Sequence, residues 1–565
     1  INVEMSGGTV NGSVYGGSNI RGTVYGSTNV NVYGGTVNTD VYGGGEGNYT
    51  SSENYGTAVM ENVNVTIGRT GDELPLTING SVYGGSSLGS VNGNTRNTAY
   101  RNFDTNVTVH YGIINKSVFG GGKGTNTITP YVHGDVVVTV NGGNISSLYG
   151  GNDASGEPNG TDIVYLNGGI IGDAFGGGNN TGQKNTNINL QGAQVTNLFG
   201  GSNIKGTVPS SLVNVTSGTV ANVFGGNNIG GTVTNSVVNY SGATITGDIY
   251  GGGKMAAVTT SSTVTLKDAT VNDVYGGGMQ ASCPTTTITS TNITGKNIFG
   301  GSNIEGDVTT STVTINGVKY DAVYGGNNQG GKTSTTNVTI NSGTIGDVIG
   351  GGNKAESDVS NIIINNGTIT NVYGGGNEAG LTTSNVDVMG GTVTNVYGGS
   401  NKSGDLTTSN VQVGQTVQTD NPLVVTLTSN PVEATWQSNE YDTYATIGVK
   451  LVNGTDESID VYTSYIKSSS IYGGETQDIN IKEVYVGKAI KNEIHSLLVP
   501  QEGEDIIEGE KIYPRRMFKT KKGELLIDFG QNFTGYINIK IKGNRNEKIS
   551  FIPGEVLDKD GNFYN

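Results

Sequence analysis

The stretch Asn371-Val-Tyr-Gly-Gly-Gly-Asn-Glu-Ala-Gly380 recurs in variants along most of this 565-residue chain, as "NLFGGSNIKG", "NVFGGNNIGG", "AVYGGNNQGG" and "NVYGGSNKSG". The residue just before each Gly-Gly falls at Tyr149, Phe175, Phe199, Phe224, Tyr250, Tyr275, Phe299, Tyr324, Ile349, Tyr373 and Tyr397, at steps of 24 to 26 residues. A period held over that many steps is the signature of a stacked repeat. Within one period, Asn337-Val-Thr-Ile340, Gly343-Thr-Ile345 and Asp347-Val-Ile349 read as three short strands with alternating apolar residues. No 3,4-spaced apolar face appears, and Gly with β-branched residues opposes a helix.

A unit this small cannot bury its own apolar face and must stack on its neighbours. The fold class is therefore all-β: a long β-solenoid (β-helix, about 25 residues per coil) followed by a C-terminal β-sandwich region. A dozen or more coils about 4.8 Å apart predict a rod of roughly 60 to 80 Å. Residues 149–420 form the regular coils. Residues 1–148 read as irregular N-terminal coils, with Tyr15, Tyr25, Tyr33 and Tyr42 closely spaced and long loops at 45–62 and 88–106.

Composition agrees with this reading. Glycine supplies 95 residues without a Gly-X-Y period, which excludes collagen, and its mixture with Val, Ile, Thr and Tyr excludes a disordered linker. The single cysteine, Cys283, excludes an intramolecular disulfide framework and a cysteine metal cluster. A net charge of −16 without Lys/Arg clusters argues against nucleic acid. No apolar run is long enough to insert into a membrane. The expectations are no cofactor, no metal, a monomer, and a bacterial protein secreted or held at the cell surface.

The glycine-rich stretch meets none of the requirements of a phosphate loop, which leads into a helix and carries a Lys-Ser/Thr or a ribose-binding acid. It reads as a corner, with glycine supplying positive φ. Calcium nonapeptide repeats need a period of nine with Asp, whereas the frequent residue here is Asn: Asn203, Asn227, Asn303, Asn327, Asn377 and Asn401. Such residues stack and hydrogen-bond from coil to coil. Asp173, Asp248, Asp273 and Asp347 share the position two residues before the anchor, a coil preference unless a base joins them. The histidines His110, His133 and His495 are scattered.

The aromatic row admits two readings. Substitution of Tyr by Phe or Ile favours a buried ladder, whose tyrosines each need a hydroxyl partner. An exposed row would stack on sugars through Tyr250, Tyr275, Tyr324, Tyr373 and Tyr397. Trp436, the only tryptophan, is either core or a further sugar platform.

Charge is uneven: the first 420 residues hold about 41 charged side chains and the last 145 about 37, which sets a domain boundary near Thr419 to Pro422. Residues 421–500 read as a β-sandwich-like domain, with strands at 445–452 and 458–466 around Asn453-Gly454. In residues 501–565 the segments Leu525 to Ile527, Ile537 to Ile541 and Lys548 to Phe551 alternate, with turns at Gly530, Gly543 and Gly561.

Two resemblances follow. The repeats resemble the strand-repeat passengers of bacterial surface proteins, including autotransporter adhesins, which implies a displayed stalk or adhesin with a glycan or host-surface ligand. The segment from Gly523 contains Asp528, Phe529, Gly530, Gln531, Asn532, Gly535 and Tyr536, then Glu555, Val556, Leu557, Asp558, Asp560 and Gly561. It resembles the accessory β-domain that precedes the catalytic barrel of bacterial α-L-rhamnosidases. The family's catalytic carboxylates lie in that barrel, so the resemblance implies none within these residues.

Overall fold

The computed structural model describes residues 1–48, 56–71, 74–94 and 99–414, the strands Leu423–Leu427, Ala434–Ser438, Thr443–Ile447 and Val449–Asn453, residues 513–530, and the positions Ile552 and Lys559. The chain divides into two compact units, Ile1–Val424 with Val452–Asp460, and Val425–Leu451 with Val461–Asn565.

The first unit is a β-solenoid of about 16 turns with roughly 25 residues per coil, and the described residues contain no helix. Twenty-eight of the described strands join one sheet system in which successive coils pair parallel and in register. Thr333–Ile349 shows why. It pairs with Val308–Tyr324 on one side so that Val338 sits on Val313, Ile340 on Ile315 and Val348 on Val323. On the other side Val338 meets Ile362 and Ile340 meets Ile364.

These residues are at most 1% exposed, while the intervening Thr and Asn point outward. Each fully buried Val or Ile stabilises the fold by about 1.5–3 kcal/mol before conformational entropy is subtracted. A one-residue slip would turn every one of them to solvent, so the alternation fixes the register.

The Gly-Gly corner is a close approach between coils. A Cβ on Gly225 would lie 2.1 Å from the Gly251 carbonyl oxygen, and one on Gly350 would lie 2.4 Å from that of Gly374. The corner glycines Gly374 and Gly375 do not have positive φ, contrary to the sequence expectation. Positive φ occurs instead at turns such as Gly343 (126°), Gly367 (129°) and Gly391 (82°), where a side chain would be strained.

Inside the corner a hydroxyl caps a glycine carbonyl, turn after turn. Thr186 Oγ1 donates to Gly200 O at 2.6 Å, Ser211 to Gly225 at 2.5 Å, Ser236 to Gly251 at 2.6 Å and Thr336 to Gly350 at 2.6 Å. Ser262 donates likewise to Gly276, and Ser360 and Ser384 to Gly374 and Gly398. A buried carbonyl left without a donor would be costly, and the repeat supplies one.

In the second unit Ala434–Ser438 pairs antiparallel with Thr443–Ile447, placing Trp436 opposite Ala445. Arg516–Lys519 pairs antiparallel with Leu525–Asp528. The expected strand at 458–466 lies outside the described residues.

Candidate functional site

The aromatic anchors form a continuous stack. From Tyr15 through Tyr42, Tyr83, Phe119, Tyr149, Phe175, Phe199, Phe224, Tyr250, Tyr275 and Phe299 to Tyr324, neighbouring ring centroids lie 4.6 to 4.9 Å apart with planes within 3 to 11°. Carbon atoms touch at about 3.5–4.0 Å, so the rings are slipped sideways, the offset geometry that their quadrupoles favour. Ile349 interrupts the stack, which resumes between Tyr373 and Tyr397 at 5.0 Å.

This arrangement corrects the exposed reading for two of the proposed sugar contacts. Tyr250 and Tyr275 are 3% and 2% exposed, and each has a neighbouring ring against both faces. Neither offers a face to a sugar. Tyr324 and Tyr373, on either side of Ile349, are half-buried, and Tyr397 is 47% exposed. The residue before most anchors, such as Val223, Ile249 or Val372, is also buried, because the chain bends at the corner and brings both members of the pair inward. The backbone at Trp436 lies in a strand, as above.

The buried phenols find partners at the stack's edge. Tyr250 Oη donates to Asp248 at 3.3 Å and accepts from Asn303 Nδ2 at 3.0 Å. Tyr275 is held in the same way by Asp273 at 3.5 Å and Asn328 at 3.4 Å. Burial, then the neighbouring Asp273 charge, raises the Asp248 carboxyl above its ordinary range. Burial also raises the Tyr149 phenol to about 12. The aspartates two residues before the anchor thus serve phenols in their own strand (Asp248, Asp273) or accept from the next coil's amide, as Asp173 does from Asn197 and Asp347 from Asn371.

An asparagine ladder runs along the other side of the corner. Asn203 donates to Asn179, Asn228 to Asn203, Asn328 to Asn303, Asn353 to Asn328, Asn377 to Asn353 and Asn401 to Asn377, at 2.6 to 2.9 Å. Asn227 and Asn327 are not rungs of it. Each is buried one residue earlier, its oxygen accepting from the backbone of Ser202 or Ser302 and its amide closing the turn on Gly230 or Gly330.

Among the described residues several buried polar atoms lack a hydrogen-bond partner, and Asp162 is the carboxylate with both oxygens in that state. Asp162 lies in register with Thr186, at the capping-hydroxyl position, and is 0% exposed with neither carboxylate oxygen hydrogen-bonded. Burial, reinforced by the charges of Asp135 and Glu157, pushes its carboxyl well above the ordinary range. Sequence reasoning passed over it; its signal is an acid where the preceding coil carries Val136 and the following coils carry Thr186 and Ser211. Burial likewise lowers His133, with Arg101 adding to the effect, and pushes the Cys283 thiol up to about 11. Among the described residues no three His, Cys, Asp or Glu side chains gather to hold a metal.

In the C-terminal motif Asp528 is the organising residue. Its carboxylate accepts from Arg516 Nε at 2.7 Å and from the Gly530 N–H at 2.8 Å, and Gly530 turns the chain with φ of 75°. The Arg516 hydrogen bond, then that of Gly530, lowers the Asp528 carboxyl. Phe529 follows in the same turn, while Gln531, Asn532, Gly535 and Glu555 lie outside the described residues. Asp528 ends the strand Leu525–Asp528 and Gly530 turns the chain after it.

Residues 518–565 match the family model described as the bacterial α-L-rhamnosidase concanavalin-like domain. The chain is thus a β-solenoid followed by a C-terminal stretch similar to the concanavalin-like domain of bacterial α-L-rhamnosidases. No curated protein and no solved structure matches the chain.

Proposed function

We propose that this chain is the non-catalytic, glycan-associated part of a bacterial protein that is secreted or displayed at the cell surface. The solenoid acts as a spacer or adhesin stalk and the concanavalin-like segment associates with carbohydrate. The observation that carries the reading is the match at 518–565 on a chain whose other described part is an uninterrupted parallel rod. Tyr397, the anchor ring with the most exposure, is the best placed of the row to meet a ligand, with Tyr373 behind it. The ligand class is a glycan, and the chain acts as a monomer.

The test is a pair of measurements on the full chain. Retention on a glycan array supports the reading, and release of product from an aryl α-L-rhamnoside above blank overturns the non-catalytic assignment. The same match favours a second reading, in which these residues are the non-catalytic portion of an exported α-L-rhamnosidase-like hydrolase whose (α/α) barrel lies beyond residue 565. A longer reading frame encoding that barrel would decide for it.

A further inference from the structure

Along most of its length the corner beside the ring stack carries the asparagine ladder and acids, with an occasional lysine such as Lys254. Between Tyr42 and Tyr149 two lysines and two acids line one cavity. Asp40, Lys116, Lys123 and Asp153 gather around the edges of Tyr83 and Phe119, lining a cavity of about 440 Å³.

Their hydrogen bonds are only partly used. Asp40 is the more fully used: it accepts from the Ser81 N–H at 2.8 Å on one oxygen, and from Tyr42 Oη at 2.8 Å and Lys123 Nζ at 2.9 Å on the other. Burial raises its carboxyl, but those three donors together hold it below the ordinary value. Asp153 accepts one bond on each oxygen, from Tyr83 Oη at 3.1 Å and Asn179 Nδ2 at 2.9 Å, and keeps a free lone pair on each. Lys123 also lies 5.9 and 5.8 Å from the ring centres of Tyr42 and Tyr83, which fixes its direction. Lys116 is exposed, and its ammonium has no acceptor or ion-pair partner among the described residues.

The open positions are therefore the three N–H groups of Lys116, the remaining two of Lys123, and the acceptor sites of Asp153. A simple inorganic anion would satisfy the ammonium groups but would face Asp153 with like charge. A neutral sugar would leave the Lys116 charge unmatched. A molecule with a carboxylate at one end and hydroxyl donors at the other fits both.

We infer that this cavity binds a carboxylated sugar of an acidic glycan, with Lys116 and Lys123 on the carboxylate and Asp153 on a hydroxyl. The inference rests on the glycan-associated reading above and names the glycan class. Beyond the cavity the asparagine ladder runs on along the same corner from Asn179 to Asn203, a row of amides that suits an extended ligand.

Calorimetric titration of the full chain with tetragalacturonate and with a neutral tetragalactan tests it. The acidic oligosaccharide should bind, with affinity falling as salt rises. K116Q should weaken that binding by at least about tenfold, K116R should restore most of it, and K402Q, which removes a lysine paired with Glu378 elsewhere, should change nothing. Equal binding of the neutral oligosaccharide, no binding of the acidic one, or an unaffected K116Q would each overturn the inference. Retention of neutral glycans by a chain that ignores tetragalacturonate would leave the broader reading standing and remove only this one.

Discussion

The rings of Tyr15, Tyr42, Tyr83 and Phe119 stack at 4.8 to 4.9 Å although about 27, 41 and 36 residues of chain separate them. Those from Phe175 to Tyr324 stack at 4.6 to 4.9 Å with 24 to 26 residues between them. The spatial period is the same and the sequence period is not. What the fold conserves is the corner, where a Cβ on Gly84 would meet the Gly120 oxygen at 2.1 Å just as one on Gly225 meets Gly251. Extra chain leaves the coil elsewhere and builds its own contacts: Gly22–Val24 pairs with Thr57–Val59 in a separate small sheet. Long surface insertions add only slowly to loop-closure entropy, so such coils are tolerated.

The sharpest way to break this equivalence is to remove a ring from each region. Phe119→Ala and Phe199→Ala should each cost about 3–5 kcal/mol, read as lost hydrogen-exchange protection in the flanking coils. A much smaller loss at Phe119 would show that the long-loop coils pack more loosely. Next in size, Gly84→Ala and Gly225→Ala should each lose on the order of 3 kcal/mol, because the obstruction is backbone and cannot rotate away. Tolerance of either by thermal and denaturant unfolding would contradict the close-approach account of the corner.

At the junction of the two regions, Asp162 makes the comparison depend on pH. Its folded-state value lies above the ordinary 3.8, so the folded chain holds the proton more tightly than the unfolded one. Stability should fall as pH rises from 3.8 towards the raised value, by about 1.4 kcal/mol per pH unit for one proton, and level off above it. Asp162→Thr, which restores the capping hydroxyl, should raise the melting temperature at neutral pH and flatten that slope; an unchanged slope would assign it to another group. The smallest effect is a gain: Ile349→Tyr should join the two ring stacks and add about 0.5–1.5 kcal/mol.

Much of the solenoid was legible because its causes are local and repeated. Alternation set the strands, and the anchor spacing set the coil. The irregular region was harder, since Tyr25 and Tyr33 look like anchors at a short period. The structure leaves Tyr25 81% exposed and puts Arg69 over the Tyr33 ring at 5.1 Å, so neither is a rung. Nothing in the sequence separates an anchor tyrosine from a loop tyrosine until coils are aligned. The rings' burial was favoured by the exchange of Tyr for Phe or Ile, and most anchors are buried; alternation alone places neighbours on opposite faces, and only the bend at the corner turns both inward. The ladder was anticipated as a type of contact, but its rungs shift by one residue at Asn227 and Asn327, where two asparagines follow Gly-Gly and only the second continues the column. Asp162 and the Lys116 cavity join residues from different coils, and they became visible only once the stacking register was known.

The parallel stacking also has a mechanical meaning. Every coil is one layer about 4.8 Å thick, and its hydrogen bonds to the next layer point along the rod. Tension applied between the rod's ends therefore loads those bonds a layer at a time, as in a zipper. A released coil of about 25 residues extends to roughly 85 Å, some eighteen times the thickness it gave up. A tether of this design yields in steps and lengthens under load before any covalent link is strained.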